Sequence, residues 1–440
     1  MLSKSIYLFI SKAVGYGIRI LLPIFLVRLL TKPEFGAYNQ FFLLEILIQT
    51  VFQMGICQSL YYFVPRDEEN AGAYLLNSLM MNVAIYTVAY TIIWFFRDLI
   101  AHQLGMRIIY DYFWYLACYS LFVLLNVSVV SYLTARQKIL NASILTILFE
   151  VLASIGTLTA AFLYRDLQKI ILAPVIARGV SFLIGASFVH FRLHGFRSRR
   201  YFFGIMAQLR YGVVLGFGGT IWVYSLRLHE LMVSRNFDIG TYAVYAAGCK
   251  RIPLLQFFSQ SIAAVALGQF ALLVKEGKWK QVQALWDKIL GIMYGAAVPL
   301  VVVLLLVSRP LVLAMFTPEY AAAVPIFRWN VLAYLAMLVN STLILRALDR
   351  NDVTVKVNGA MFLVLPFALY GGMKVAGLEG IIAVHVLAQI LSRLAAQTYL
   401  RRLSPVPLGY LPTLGSLRAF YTGSFRKVGD IALRVRERVR

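Results

Sequence analysis

Apolar residues run in stretches of about twenty, one after another from near the start of the chain to residue 400, and charged residues collect in the short gaps. Each stretch is long enough to cross a ~30 Å hydrocarbon core as an α-helix. The pattern predicts twelve spans, at 6–30, 38–60, 74–96, 112–134, 142–164, 169–191, 210–231, 241–273, 286–308, 325–346, 357–375 and 379–399, the eighth unusually long. An even number places both termini on one side of the membrane. The expected fold class is all-α and polytopic.

Two stretches break the spanning pattern. Residues 275–288 place Trp279, Val282 and Trp286 on one face with lysines elsewhere. The tail after Ser404 alternates arginines with Phe420, Phe425, Val428, Ile431 and Val435. Both suit helices lying on an anionic cytoplasmic leaflet.

Composition excludes a soluble protein, since 60% of the 440 residues are hydrophobic and only 14% charged. The first span is too long for the apolar core of a signal peptide, and no small-residue cleavage pattern ends it, so it is expected to be retained. Cys57, Cys118 and Cys249 are isolated and read as small buried residues. A net charge of +23 would suggest nucleic acid in a soluble chain. Here topology absorbs it: 26 of the 42 cations fall in the termini and the links on their side, 10 in the opposite links and six within spans. The positive-inside bias places both termini in the cytoplasm, and no nucleic-acid partner is expected.

The basic link 192–210 divides an N-terminal lobe, 1–200, from a C-terminal lobe, 201–403, followed by a basic amphipathic tail, 404–440. An internal echo supports the division. Glu34-Phe35-Gly36-Ala37-Tyr38 after the first span matches Asp238-Ile239-Gly240-Thr241-Tyr242 after the seventh as acid, apolar, Gly, small, Tyr. Transporters are commonly built from such repeats, with substrate bound between them near the midplane.

With Lys12 and the residues shared with links assigned to the termini and links, nine ionisable residues other than His are assigned to the spans: Arg19, Glu45, Glu150, Arg178, Arg227, Glu230, Lys250, Arg251 and Arg393. A cation at mid-bilayer costs about 2.5–3.5 kcal/mol on insertion scales. Six unpaired and central would cost on the order of 15–20 kcal/mol, more than typical folding stability. They must therefore face one another, a wet cavity or an interface. Arg227 and Glu230, three apart, can pair on one helix face. Ser11, Gly15, Arg19 and Pro23 share a face of the first helix, with Arg19 deepest in its span. Glu45, Gln49 and Gln53 form a stripe on the second, and Gln256 and Gln260 follow Lys250 and Arg251 on the eighth. Lys250, Arg251, Arg393 and Arg178 fit either a cavity or the headgroups, to which long cationic side chains reach. Glu150 fits either a proton or sodium site or a satisfied structural hydrogen bond. The candidate substrate-binding set is Arg19, Arg178, Arg227, Lys250, Arg251, Gln49, Gln53 and Gln256, with Glu45, Glu150 and Glu230 as candidates for ion coupling.

His190 and His194 have metal-ligand spacing, but no Cys or carboxylate stands near them and no metal site is expected. HExxH, Walker, nucleophile-elbow and paired catalytic carboxylate motifs are absent, so neither an enzyme nor a cofactor is expected. Guanidinium groups match phosphate through paired hydrogen bonds, and Gln and Tyr suit the hydroxyls of a sugar. The surplus of cations therefore favours a phosphorylated, glycosylated cargo.

LVRLLTKPEFGAYNQFF (26–42) followed by MGICQSLYYFVPR (54–66) resembles the opening of the polysaccharide transporter, or Wzx-type O-antigen flippase, family. IGTYAVYAAGCKRIPLL (239–255) and residues 316–352 resemble its later helices; the tail after 404 is not covered. The resemblance implies the fold of the multidrug/oligosaccharidyl-lipid/polysaccharide (MOP) exporters, two six-helix lobes around a central cleft. It also implies a cargo of undecaprenyl-pyrophosphate-linked oligosaccharide flipped across the bacterial inner membrane by a monomer, with possible proton or sodium coupling and other polysaccharide-assembly proteins as possible partners. By likeness to the related lipid II flippases, cationic positions map onto Arg19 and onto Lys250 or Arg251. Their helix-two arginine has no counterpart here, which makes lipid II a poorer fit. A multidrug exporter would instead predict a cavity dominated by acids, and a membrane glycosyltransferase or polymerase a large external catalytic loop; the chain has neither.

Overall fold

A computed structural model describes residues 15, 17–18, 21–193, 196, 202–252 and 254–422. Among these there is no β-strand. The chain divides into two compact units, 1–247 with 314–320, and 248–313 with 321–440. Arg19, Lys12 and His194 lie outside the described residues.

In the first unit the first helix, α1, is described over 21–29. It is followed by α2 (Lys32–Phe52), α3 (Ile56–Phe63), α4 (Ala71–Phe95), two short helices α5 (Arg97–Leu104) and α6 (Ile108–Asp111), α7 (Phe113–Ala135), α8 (Ile139–Tyr164), α9 (Leu167–Leu193), α10 (Ile205–Asn236) and α11 (Ile239–Gly248). Local chemistry sets the α1–α2 corner. Thr31 and Glu34 form a reciprocal capping box, the Glu34 carboxylate accepting the Thr31 N–H at 2.8 Å while Thr31 Oγ1 accepts the Glu34 N–H at 3.4 Å. Each bond satisfies a backbone donor that a helix start leaves without an intrahelical partner. Arg28 donates to the carbonyls of Ala314 and Met315, at 2.6 and 3.1 Å. That ties segment 314–320 to this unit, and Phe35 packs edge-on against Tyr320.

The echo at 238–242 opens α11, where Asp238 caps the helix by accepting the Thr241 N–H at 2.9 Å. This holds its carboxyl below the usual carboxylate range, mainly through the bond from the Thr241 hydroxyl. The two echoing segments meet: a Cβ on Gly36 would collide with the Ile239 carbonyl, and Tyr38 and Tyr242 are both buried. The unit's core is apolar, built from α3, α4, α7, α8 and α9 around Leu60, Leu75, Tyr132, Leu145 and Phe149.

α2 and α3 form one bent span, with a 48° break at residues 53–55. Gly55 takes φ +63°, a conformation Gly reaches without strain. Gly212 and Gly216 of α10, one turn apart, let that helix's backbone press against Met54 and Gly55; a Cβ on Gly216 would stand 2.6 Å from the Met54 carbonyl carbon. Thr220 and Tyr224 continue the seam, donating to the carbonyls of Thr50 and Leu47 at 3.0 and 3.2 Å.

The second unit holds α12 (Leu254–Lys275), α13 (Trp279–Leu306), the start of α14 (Ser308–Phe316), α15 (Ala323–Leu332), α16 (Thr342–Ala347) and α17 (Asn351–Leu403). Non-helical backbone at Ala376 and Gly377 divides the 53-residue α17 into the two expected spans. At its start Asp352 is held down at about 2 by the hydrogen bond from Arg350 and by Lys356.

Among the described residues seven helices are long and apolar enough to cross a membrane, and the bent α2–α3 pair makes an eighth. Two details differ from the sequence pattern. The long eighth span is broken: α11 ends at Gly248 and α12 begins at Leu254. A proline at 253 explains why, because it lacks an N–H and disfavours helix at the residue before it. Residues 279–288, expected to lie flat on the leaflet, are instead the first turns of the spanning helix α13. Val282 and Trp286 are fully buried, and the chain's own segment 407–409 packs here, accepting from Gln283 and Trp286 rather than leaving this face to lipid.

Candidate functional site

The first unit carries a buried polar chain across four helices. Glu150 (α8) and Arg178 (α9) form an ion pair at 3.0 Å with both side chains about nine-tenths buried. The guanidinium also takes the Tyr119 (α7) hydroxyl as a hydrogen-bond acceptor. Asn126, two turns along α7 from Tyr119, donates to the Arg178 carbonyl at 2.9 Å. Glu45 (α2) is buried and within electrostatic reach of Tyr119, Tyr86 and Tyr90. The first helix approaches the same place, since a Cβ on Gly15 would lie 3.3 Å from Glu150 Cγ.

A second polar group lies on α10. Arg227 reaches Glu230 at 2.5 Å, the pair expected from their spacing. Arg227 remains more than a third exposed while Glu230 is buried. His229 on the same turn shares a hydrogen bond of 2.7 Å with the Tyr245 hydroxyl of α11. One turn further on, Ser234 accepts a 2.7 Å bond from Gln40 of α2. Gln49 and Gln53 are half-buried, and Gln53 sits at the α2–α3 break as the C-cap of α2, hydrogen-bonding the Cys57 thiol.

The second unit supplies a different geometry. Lys250 and Arg251 both fall in the non-helical break between α11 and α12. A break between two helices exposes carbonyls that must find donors. Here α15 and the 3-10 turn after it provide them: Asn330 Nδ2 donates to the Gly248 carbonyl at 3.4 Å, and the Tyr334 hydroxyl donates to Ile252 at 2.5 Å. Asn330 also positions a cation, its Oδ1 accepting from Arg251 Nε at 3.1 Å. Gly248 seats against Ile326 and the Ala323 carbonyl, where any side chain would collide. Lys250 and Arg251 are half-buried beside the N-terminus of α12, whose helix dipole adds partial positive charge. Two cations beside a helix start, one of them held by Asn330, attract an anion. Gln256 stands in the first turn of α12, also half-buried.

Of the candidate residues, Glu150 and Arg178 are brought together, Arg227 and Glu230 are brought together, and Lys250, Arg251 and Gln256 share the helix break. Arg178 spends its guanidinium on Glu150 and Tyr119. Arg393 is on the second part of α17, one turn after Gln389, which hydrogen-bonds His385 at 2.6 Å. Tyr119, Asn126, His229 and Asn330 escaped the sequence analysis. Neutral polar residues within apolar spans carry no charge signal, though Gly248 and Pro253 flanking two cations marked the break. Among the described residues no group of three His, Cys, Asp or Glu side chains is placed to hold a metal ion.

Comparison with known proteins follows the same lines. A family model described as polysaccharide biosynthesis protein matches residues 25–325. No curated protein matches the chain by sequence alone. Among solved structures, an inward-facing multidrug resistance MATE family transporter of the MOP superfamily is similar with a TM-score of 0.70 at 12% identity, over 88% of this chain and 93% of that one. The lipid II flippase MurJ in an inward closed conformation is similar with a TM-score of 0.68 at 13% identity, over 99% and 93%. A MOP superfamily transporter from Pyrococcus furiosus, described as having a binding pocket of reverse polarity, is similar with a TM-score of 0.60 at 14% identity, over 91% and 95%. These likenesses show the fold. With the family model covering more than half of its length, the chain belongs to the polysaccharide biosynthesis protein family, as a multi-pass membrane protein with the fold of the MOP-superfamily transporters.

Proposed function

We propose that this protein is a flippase that carries a polyprenyl-pyrophosphate-linked oligosaccharide across the bacterial inner membrane by alternating access. It would supply O-antigen, capsule or exopolysaccharide assembly, with both termini in the cytoplasm. The observation that carries the reading is the break in the eighth span, which holds Lys250 and Arg251 at the start of α12. A discontinuous helix with cations at its half-helix N-terminus is how a transporter binds an anionic group within the bilayer. The pyrophosphate engages Lys250 and Arg251 of the second unit; Arg19 and Arg227 are the candidate cations of the first. Gln49, Gln53 and Gln256 meet sugar hydroxyls, and the polyprenyl chain stays in lipid. Arg178, neutralised by Glu150, acts through that pair and not by touching cargo. Glu45, Glu150 and Glu230 are the carboxylates through which a proton or sodium gradient would couple.

Binding distinguishes this from a multidrug exporter. In detergent, a fluorescent polyprenyl-pyrophosphate oligosaccharide is expected to bind and to be displaced by an unlabelled one, but not by a lipophilic cation. Displacement by the cation, or equal affinity for a polyprenol lacking phosphate, overturns the proposal.

A further inference from the structure

Residues 405–422 form a fixed ledge on the second unit. Leu408 is fully buried. Trp286 donates its indole N–H to the Gly409 carbonyl at 2.9 Å, and Tyr294 donates to Tyr410 at 2.9 Å, so the segment is bound to α13. Gln397 donates to the Leu408 carbonyl at 2.9 Å, and Arg401 stacks over the Tyr410 ring at 5.2 Å, binding the same segment to the end of α17. The helical turns at 414–422 then seat on α13. Gly291 and Gly295, four apart, receive Ser416 and Phe420, also four apart, and the Tyr421 hydroxyl donates to the Gly295 carbonyl at 3.2 Å. Any side chain at either glycine would collide with the ledge.

The outward face of this ledge combines two features. Leu411 and Leu414 are 69% and 88% exposed. Arg401, Arg402 and Arg418 on the same region are exposed, as are Lys275 and Lys280 before and at the start of α13. The nearby acid Glu276 is already engaged, at 2.7 Å from Lys278. All of these stand where α13 begins and α17 ends, so they occupy one membrane face. Exposed leucines beside exposed cations are the composition of a segment that lies in a lipid headgroup region, and each such cation adds attraction to an anionic leaflet.

We infer that residues 405–422 are an interfacial ledge that inserts Leu411 and Leu414 among the lipids of that face and binds anionic headgroups through Arg401, Arg402 and Arg418. Because the ledge is bonded to both α13 and α17, anionic lipid would clamp the ends of these two helices together. The inference rests on the ledge geometry and not on the identity of the cargo.

The test uses the full chain with an environment-sensitive fluorescent amino acid at Leu414, reconstituted in vesicles containing brominated acyl chains, with and without phosphatidylglycerol. Brominated chains are expected to quench the probe, at least twofold more strongly when phosphatidylglycerol is present. Lys280→Gln/Arg402→Gln/Arg418→Gln, which spares the Arg401–Tyr410 contact, is expected to remove most of that difference while leaving the signal in pure phosphatidylcholine unchanged, which also reports that the ledge still folds. A probe unquenched in both vesicles overturns the insertion. Equal quenching in both, or an unaltered difference in the triple variant, overturns the binding of anionic headgroups. A cargo-binding failure in the same preparation would leave this readout intact.

Discussion

Removing the Glu150 carboxylate should be among the most damaging single changes in the first unit. At 3.0 Å and with both side chains nearly buried, the gross attraction to Arg178 is about 5 kcal/mol at an effective dielectric near 20. Desolvation of the two ions offsets much of that, so the pair's net contribution is small. Breaking it is different, because Glu150→Leu leaves a buried guanidinium that cannot lose its proton without the charge of its carboxylate partner. Such a loss costs about 3–5 kcal/mol. Glu150→Gln keeps a hydrogen-bond acceptor and should cost less, about 1–3 kcal/mol. The double variant Glu150→Leu/Arg178→Met removes both charges at similar volume and should return to within about 2 kcal/mol of the parent. A double-mutant cycle by denaturant unfolding in mixed micelles measures all three. If Glu150→Leu cost under about 1 kcal/mol, or if the double variant were as unstable as the sum of the singles, the pair would not be the buried tie described.

Other predictions follow from different contacts. Gly216→Val places a side chain on the Met54 backbone at the α2–α3 break, and overpacking of this kind costs about 1–3 kcal/mol; melting in detergent should fall for it and not for Gly268→Val, where no neighbouring atom lies within 4 Å. Thr31→Ala removes the cap of α2 and should cost about 1 kcal/mol in the same melt. Asp352, held at about 2 against an ordinary 3.8, contributes stability that is fully present above about pH 4 and is lost as pH falls through about 2. Asp352→Asn should therefore flatten the acid limb of a stability–pH curve within that window and lower stability at neutral pH, where the parent's contribution is fully present.

The spans were legible because hydrocarbon thickness imposes a run length that survives in any apolar sequence. The Arg227–Glu230 pair was written locally in a spacing of three. Contacts between distant residues were not. Glu150 and Arg178 sit 28 positions apart on two helices, and no local pattern pairs them. The amphipathy of 275–288 was visible, but its cover was not, since Trp286 is capped by Gly409 from 123 residues away. The eighth span read as one long helix because apolar residues flank 249–253 on both sides, with Lys250 and Arg251 between them; a glycine and a proline at 248 and 253 outweigh that continuity.

Translocation itself tests the central claim most directly. Proteoliposomes loaded with a labelled polyprenyl-pyrophosphate oligosaccharide on one leaflet are followed for its appearance on the other, using parent protein and a Lys250→Ala/Arg251→Ala variant at equal reconstitution. The account predicts transfer by the parent and at least a tenfold loss in the variant. Undiminished transfer by the variant, or none by the parent where a lipophilic cation is carried, would contradict it.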